Sequence, residues 1–196
     1  MKRISPISGL KAAVGAISLW AIVGFVDHAS AAGDAPVGGA VHLQRVAEAA
    51  EGGNRQFLCQ NEVDLKPDEG YVLTFWAKSP QSTPLRVSMK VSQAPWSSVG
   101  SPQQVELTPE WQKYELNIEA TGAVPGKTRI TFNFVDTLAA DIWMADFHLR
   151  NAGSDESENL IANARFEDGL AKWYSEGQRA GVFQVSAQSQ AEAAAP

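Results

Sequence analysis

Six tryptophans in a chain of 196 residues are the first chemistry on offer. An indole is a flat apolar plate, and a pyranose ring presents a flat C–H face that can stack on it. Position decides which indoles are available. Trp76 lies in Tyr71-Val72-Leu73-Thr74-Phe75-Trp76-Ala77-Lys78. Alternation there sets Tyr71, Leu73, Phe75 and Ala77 on one face and Val72, Thr74, Trp76 and Lys78 on the other. With the first set facing a core, Trp76 points outward. Trp96 lies in Ser92-Gln93-Ala94-Pro95-Trp96-Ser97-Ser98, a loop-like stretch from which a rigid scaffold can present a binding residue. Trp111, Trp143 and Trp173 are expected in the core, and Trp20 falls in an N-terminal apolar run.

Polar groups complete the candidate set. Arg86 and Lys90 alternate with Leu85, Val87, Met89 and Val91, so they share an outward face. Gln60 and Asn133 carry amides. All four are candidates for hydrogen bonds to sugar hydroxyls, because their planar or multi-donor heads can bridge neighbouring oxygens. Arg86 beside Lys90 leaves an acidic sugar open as a ligand.

The chemistry that is missing narrows the field further. A glycosidase needs two carboxylates about 5–10 Å apart across a cleft, and no spacing here marks such a pair. There is no G-x-S-x-G elbow, and the glycine runs lack the GK[ST] ending of a nucleotide loop. His42 and His148 stand alone in strand-like segments, without zinc spacing. Cys59 is the single cysteine, so no internal disulfide can form, and a buried free thiol is expected. The chain is read as noncatalytic.

These side chains need a scaffold, and the pattern supplies one. Val41 to Val46, Gln56 to Leu65, Tyr71 to Lys78, Leu85 to Val91, Tyr114 to Ile118, Ile130 to Val135 and Ile142 to Leu149 read as strands. Helical periodicity is confined to Arg45 to Glu51, which Gly52-Gly53 cuts short. Many short strands with Gly and Pro turns indicate an all-β fold, a β-sandwich jelly roll. Hydrophobic residues make up 44% of the chain, enough for a core that excludes wholesale disorder.

The two ends stand apart. Met1, Lys2, Arg3 and Lys11, the apolar run Ala12 to Val26, and Ala29-Ser30-Ala31-Ala32-Gly33 have the form of a secretory signal peptide, assigned to residues 1–31. Cleavage after Ala31 or Ala32 would place the protein in a periplasmic or extracellular compartment. The remainder would hold 13 basic and 21 acidic residues, which argues against nucleic acid as a partner. No membrane association is expected once the signal is removed. Residues 37–186 form the expected domain, and 187–196, composed of Ala, Gln, Ser, Glu and Pro, a flexible tail.

Several segments resemble the jelly-roll carbohydrate-binding modules of families 4, 9 and 22. Leu65-Lys66-Pro67-Asp68-Glu69-Gly70 leading into Tyr71 to Lys78 is similar to their L-x-P-G-x-x-Y-x-L-x-F-W-A/V-K segment. Asn159 to Trp173 is similar to their N-L-x-x-N-x-x-F-E-x-G-x-x-x-W opening. Leu107 to Tyr114 and Ile142 to Leu149 resemble two further strands. The order departs from the family, because the F-E-x-G segment comes last here instead of first. Either the chain is a circular permutant, with residues 159–186 supplying the strands that usually come first, or those residues are the stump of a second module. Permutation is favoured, since a stump would leave Phe166, Leu170, Trp173 and Val182 without a core.

The resemblance implies a secreted protein that holds a polysaccharide or oligosaccharide, alongside a protein partner carrying the catalytic activity. It also implies a structural calcium held in part by Glu167 and Asp146. The closing strand reads Ala145-Asp146 where the family has a D-D or D-N pair, which weakens that site. The competing reading is a structural or protein-interaction jelly roll in a cell-envelope or secretion assembly.

Overall fold

Strands with one apolar face must bury it against a second such surface, and here two sheets do so for each other. The computed structural model describes residues 36, 38–45, 56–134, 141–177 and 183–189. Ten strands follow in chain order: β1 (Ala40–Arg45), β2 (Gln56–Val63), β3 (Gly70–Lys78), β4 (Thr83–Val91), β5 (Ser98–Leu107), β6 (Gln112–Glu119), β7 (Thr128–Phe134), β8 (Asp141–Asn151), β9 (Trp173–Gly177) and β10 (Phe183–Gln188). The first sheet runs β10-β1-β8-β3-β6 and the second β5-β4-β7-β2-β9. The pairings are antiparallel. The expected all-β sandwich is the observed fold.

Three differences from the sequence reading have local causes. β5 was not foreseen, because Gly100, with φ of 59°, and Pro102 break its alternation. It is an edge strand, where a proline's missing N–H costs no sheet bond on the solvent side. β10 extends through Ala187 and Gln188, two residues assigned to the tail, because their backbones pair with Val41 and Ala40. β8 changes phase midway. Ile142 and Met144 face inward before Asp146, and Phe147 and Leu149 face inward after it. A bulge between the Trp76–Ala145 and Thr74–His148 pairs absorbs the extra residue, with Asp146 at a φ of 47°. Such a bulge keeps both halves of a long strand apolar toward the core. Signal residues 1–31, the helix-friendly stretch beyond Arg45 and tail residues 190–196 lie outside the described residues.

The centre of the core is aromatic. Phe147 stacks on Phe75, meets Phe132 edge-on with centroids 5.0 Å apart, and lies 4.9 Å from Trp173. Phe166 contacts both Phe147 and Trp173. Each such ring contributes about 1.5–3 kcal/mol through burial. Residues 159–177 and 183–188 are therefore built into this one sandwich: Ile161, Phe166 and Trp173 join its core, β9 pairs with β2, and β10 pairs with β1. Of the three tryptophans expected inside, only Trp173 is in this core.

Candidate functional site

The outer face of the first sheet can be built row by row from strand register. One row carries Ser186, His42, Trp143 and Lys78, from β10, β1, β8 and β3. The next carries Gln188, Ala40, Ala145, Trp76 and Lys113. A third carries His148, Thr74 and Glu115, and a fourth Arg150, Val72 and Asn117. Trp76 thus occupies the outward position expected of it. Ala40 and Ala145 beside it are fully buried in a small cluster that includes Trp111, with Trp76 and Trp143 packed against it.

Trp143 and Trp111 belong to this face and not to the main core, which corrects the sequence reading. Outward residues with large apolar plates pass for core in a one-dimensional pattern, and only register reveals their partners. The imidazole of His42 stacks on Trp143 with centroids 4.4 Å apart and planes 6° from parallel. The Lys78 ammonium lies 5.2 Å from the ring centroids of both Trp143 and Trp111. Sheet order puts His42 and Lys78 on opposite sides of Trp143, so the row is a stack of imidazole, indole, ammonium and indole. Trp143 Nε1 donates to Gln188 Oε1 at 3.0 Å. Both neighbours and the polar edge of Trp143 are therefore supplied by the chain itself. Among the described residues no such stack engages Trp76, which packs by one side on the Ala40–Trp111–Ala145 cluster.

Beyond Trp76 the face deepens into a polar cleft of about 770 Å³. Its floor is Val72, Thr74, Lys113, Glu115, His148 and Arg150, and its wall comes from the β8–β9 connection. That connection lies along the second half of β8, which β1 does not reach. Asn159 fastens it there. Its Nδ2 donates to the Phe147 carbonyl, while its Oδ1 accepts from the Leu149 and Ile161 N–H groups. Asn163 braces the same wall by donating to the Gly169 and Ala171 carbonyls.

Glu167 and Asp146 both line this cleft. Asp146 Oδ1 accepts a hydrogen bond from Arg165 Nε at 3.0 Å. A guanidinium on the carboxylate opposes a dication, and calcium needs six to eight oxygens. Among the described residues no group of three or more acidic, histidine or cysteine side chains could hold a metal. These residues as arranged do not fit a calcium site.

The remaining candidates scatter. Arg86 and Lys90 are exposed on the outer face of the second sheet, on the other side of the molecule from Trp76. Asn133 shares that face opposite Arg86, and its Oδ1 is buried without a hydrogen bond. Gln60 is 3% exposed. Its Nε2 donates to the Ala162 carbonyl and its Oε1 accepts from the Ala162 N–H, both at 2.9 Å. It is a clamp between β2 and the β8–β9 connection, on the same inward side of β2 as Leu58, opposite Ile130. Trp96 is 55% exposed. Its loop is tied to the β6–β7 loop through Ser92 N and the Lys127 carbonyl. That is the end of the sandwich where β3 begins, whereas Trp76 lies near the other end of β3. Cys59 is a buried free thiol, as expected. Burial pushes its pKa up, against the pull of the nearby Arg129 guanidinium.

No protein-family model and no curated protein matches the chain by sequence. Solved structures do resemble it. The CBM (carbohydrate-binding module) of PbXyn10C in its apo form is similar over 79% of this chain and 90% of that one, at 19% identity and a TM-score of 0.54. A CBM4 structure covers 57% of this chain and 70% of that one, at 19% identity and a TM-score of 0.45. The N-terminal cellulose-binding domain of Cellulomonas fimi β-1,4-glucanase C covers 65% of this chain and 100% of that one, at 18% identity and a TM-score of 0.43. The likeness to the PbXyn10C module is one of fold: this chain shares its two-sheet β-sandwich.

Proposed function

We propose that the protein is an exported, noncatalytic carbohydrate-binding protein. It holds a polysaccharide across the outer face of the first sheet, with one sugar ring on Trp76 and hydroxyls bonded by the cleft beside it. The observation that carries this reading is the adjacency of a half-buried outward indole and a polar cleft of about 770 Å³ on one face. Thr74, Lys113, Glu115, His148 and Arg150 offer both donors and acceptors there, as a polyhydroxyl ligand requires. Acids outnumber bases: Glu115, Asp146, Glu156, Glu167 and Asp168 face Lys113, Arg150 and Arg165. That balance favours a neutral glycan over an acidic one. The fold shared with the PbXyn10C module supports the reading, as does the signal-like N-terminus. Among the described residues, Trp96 and Val124 are the exposed large apolar side chains, too little for a protein-docking patch.

An open cleft of this kind gives an expected Kd of about 1 μM to 1 mM, or roughly −8 to −4 kcal/mol. Affinity electrophoresis through gels containing β-glucan or xylan tests the site. The wild-type chain is expected to be retarded. Trp76→Ala, which removes a stacking contact of about 0.5–1.5 kcal/mol, is expected to weaken retention up to about tenfold. Trp96→Ala, at the other end of the sandwich, is expected to leave it unchanged. Undiminished retention of Trp76→Ala would overturn the assignment.

A further inference from the structure

We infer that His42, Gln188 and Trp143 form a proton-sensitive lock on the end of β10. The inference rests on hydrogen-bond direction alone and is independent of any ligand. An indole N–H can only donate. The Gln188 atom 3.0 Å from Trp143 Nε1 is therefore the carbonyl oxygen Oε1. That orientation aims the Gln188 amide nitrogen, a donor, at His42 Nδ1, 3.1 Å away. Nδ1 must accept, so it carries no proton, and the neutral ring holds its proton on Nε2. His42 Nε2 is buried without a hydrogen bond. The carboxylate oxygen it faces is Asp141 Oδ1, 3.5 Å away.

Adding a proton to Nδ1 sets donor against donor. Flipping the Gln188 amide does not help, because its nitrogen would then face the Trp143 N–H. No orientation of that amide satisfies both partners once the ring is charged. The imidazolium gains attraction to Asp141 instead. Acidification therefore hands His42 from Gln188 to Asp141 and releases Gln188. The other groups around His42 do not counter this. Ser186 opposite it on β10 and Gln44 on its own strand are uncharged, and Lys78 lies across the Trp143 ring.

The release acts on a strand placed to respond. Among the described residues β10 is an edge strand paired with β1 alone, and Gln188 is its last residue. Its backbone is packed closely: a Cβ at Gly39 would come within 2.8 Å of the Gln188 carbonyl oxygen. Loss of the side-chain tie frees that end first, as edge segments with few bonds open before the core does.

A pH titration of the full chain by two-dimensional NMR tests the lock. The Trp143 indole N–H resonance is expected to move in step with the His42 ring resonances. Amide protection at residues 184–188, corrected for intrinsic exchange, should fall on acidification. In Gln188→Glu the carboxylate can accept from the indole and from the charged ring together. The indole resonance should then hold still as the pH falls. Gln188→Met, which bonds neither partner, should show low β10 protection at every pH. A Trp143 resonance that ignores His42, unchanged β10 protection, or an indole resonance that still moves on acidification in Gln188→Glu would overturn the proposal.

Discussion

At the scale of single residues, type and role separate. Gln60 and Trp76 both look like ligand contacts in the sequence, since each is a sugar-competent side chain in a strand. Gln60 spends both ends of its amide on Ala162 and is shut away from solvent, while Trp76 stays on an open face. Gln60→Leu keeps the volume and strands the Ala162 N–H and carbonyl. Ala162 is exposed, so those groups can turn to water, and the expected loss is that of two hydrogen bonds, about 1–3 kcal/mol. Urea denaturation should show it as a lower midpoint, with polysaccharide retention unchanged for the molecules that remain folded. Tyr114 gives a further case of role set by place. Its hydroxyl donates to the Glu106 carbonyl at 2.9 Å, and burial pushes its pKa up.

Elements carry the next layer of meaning. The alternation of β3, β4 and β6 is regular enough to read directly, and each buries the face that its pattern names. β5 hides because a glycine and a proline interrupt it. Gly100 is there for a reason that only the neighbouring strand supplies: with φ of 59°, its N–H reaches the Thr121 carbonyl, and any Cβ would press on the Glu119 carbonyl. Gly100→Ala therefore combines a left-handed backbone with a steric conflict. The expected cost is about 1–3 kcal/mol. Thermal unfolding should register it as a reduced Tm, whereas Gly126→Ala, with the same φ sign but open space around it, should cost less.

For the whole molecule, the decisive fact is that the last thirty or so described residues complete both sheets and the middle of the core. Trp173 touches Phe132, Phe147 and Phe166, which come from the second sheet, the first sheet and the β8–β9 connection. Its Nε1 donates to the Asn163 carbonyl at 3.1 Å. Trp173→Ala should cost about 3–5 kcal/mol, a large share of the stability of an ordinary domain. A denaturation curve that shifts only slightly would mean that the C-terminal segment is an accessory and not part of the common core. The all-β class, the inward sets of β3, β4 and β6, the outward side of Trp76 and the burial of Cys59 and Trp173 were legible in the sequence, because period-2 alternation and apolar bulk are local properties of the chain. Which outward residues meet was not legible. The stack of His42, Trp143, Lys78 and Trp111, the clamp by Gln60 and the separation of Arg86 and Lys90 from Trp76 depend on strand order and register. Those are set by pairings between segments far apart in the chain, so only the tertiary structure decided them.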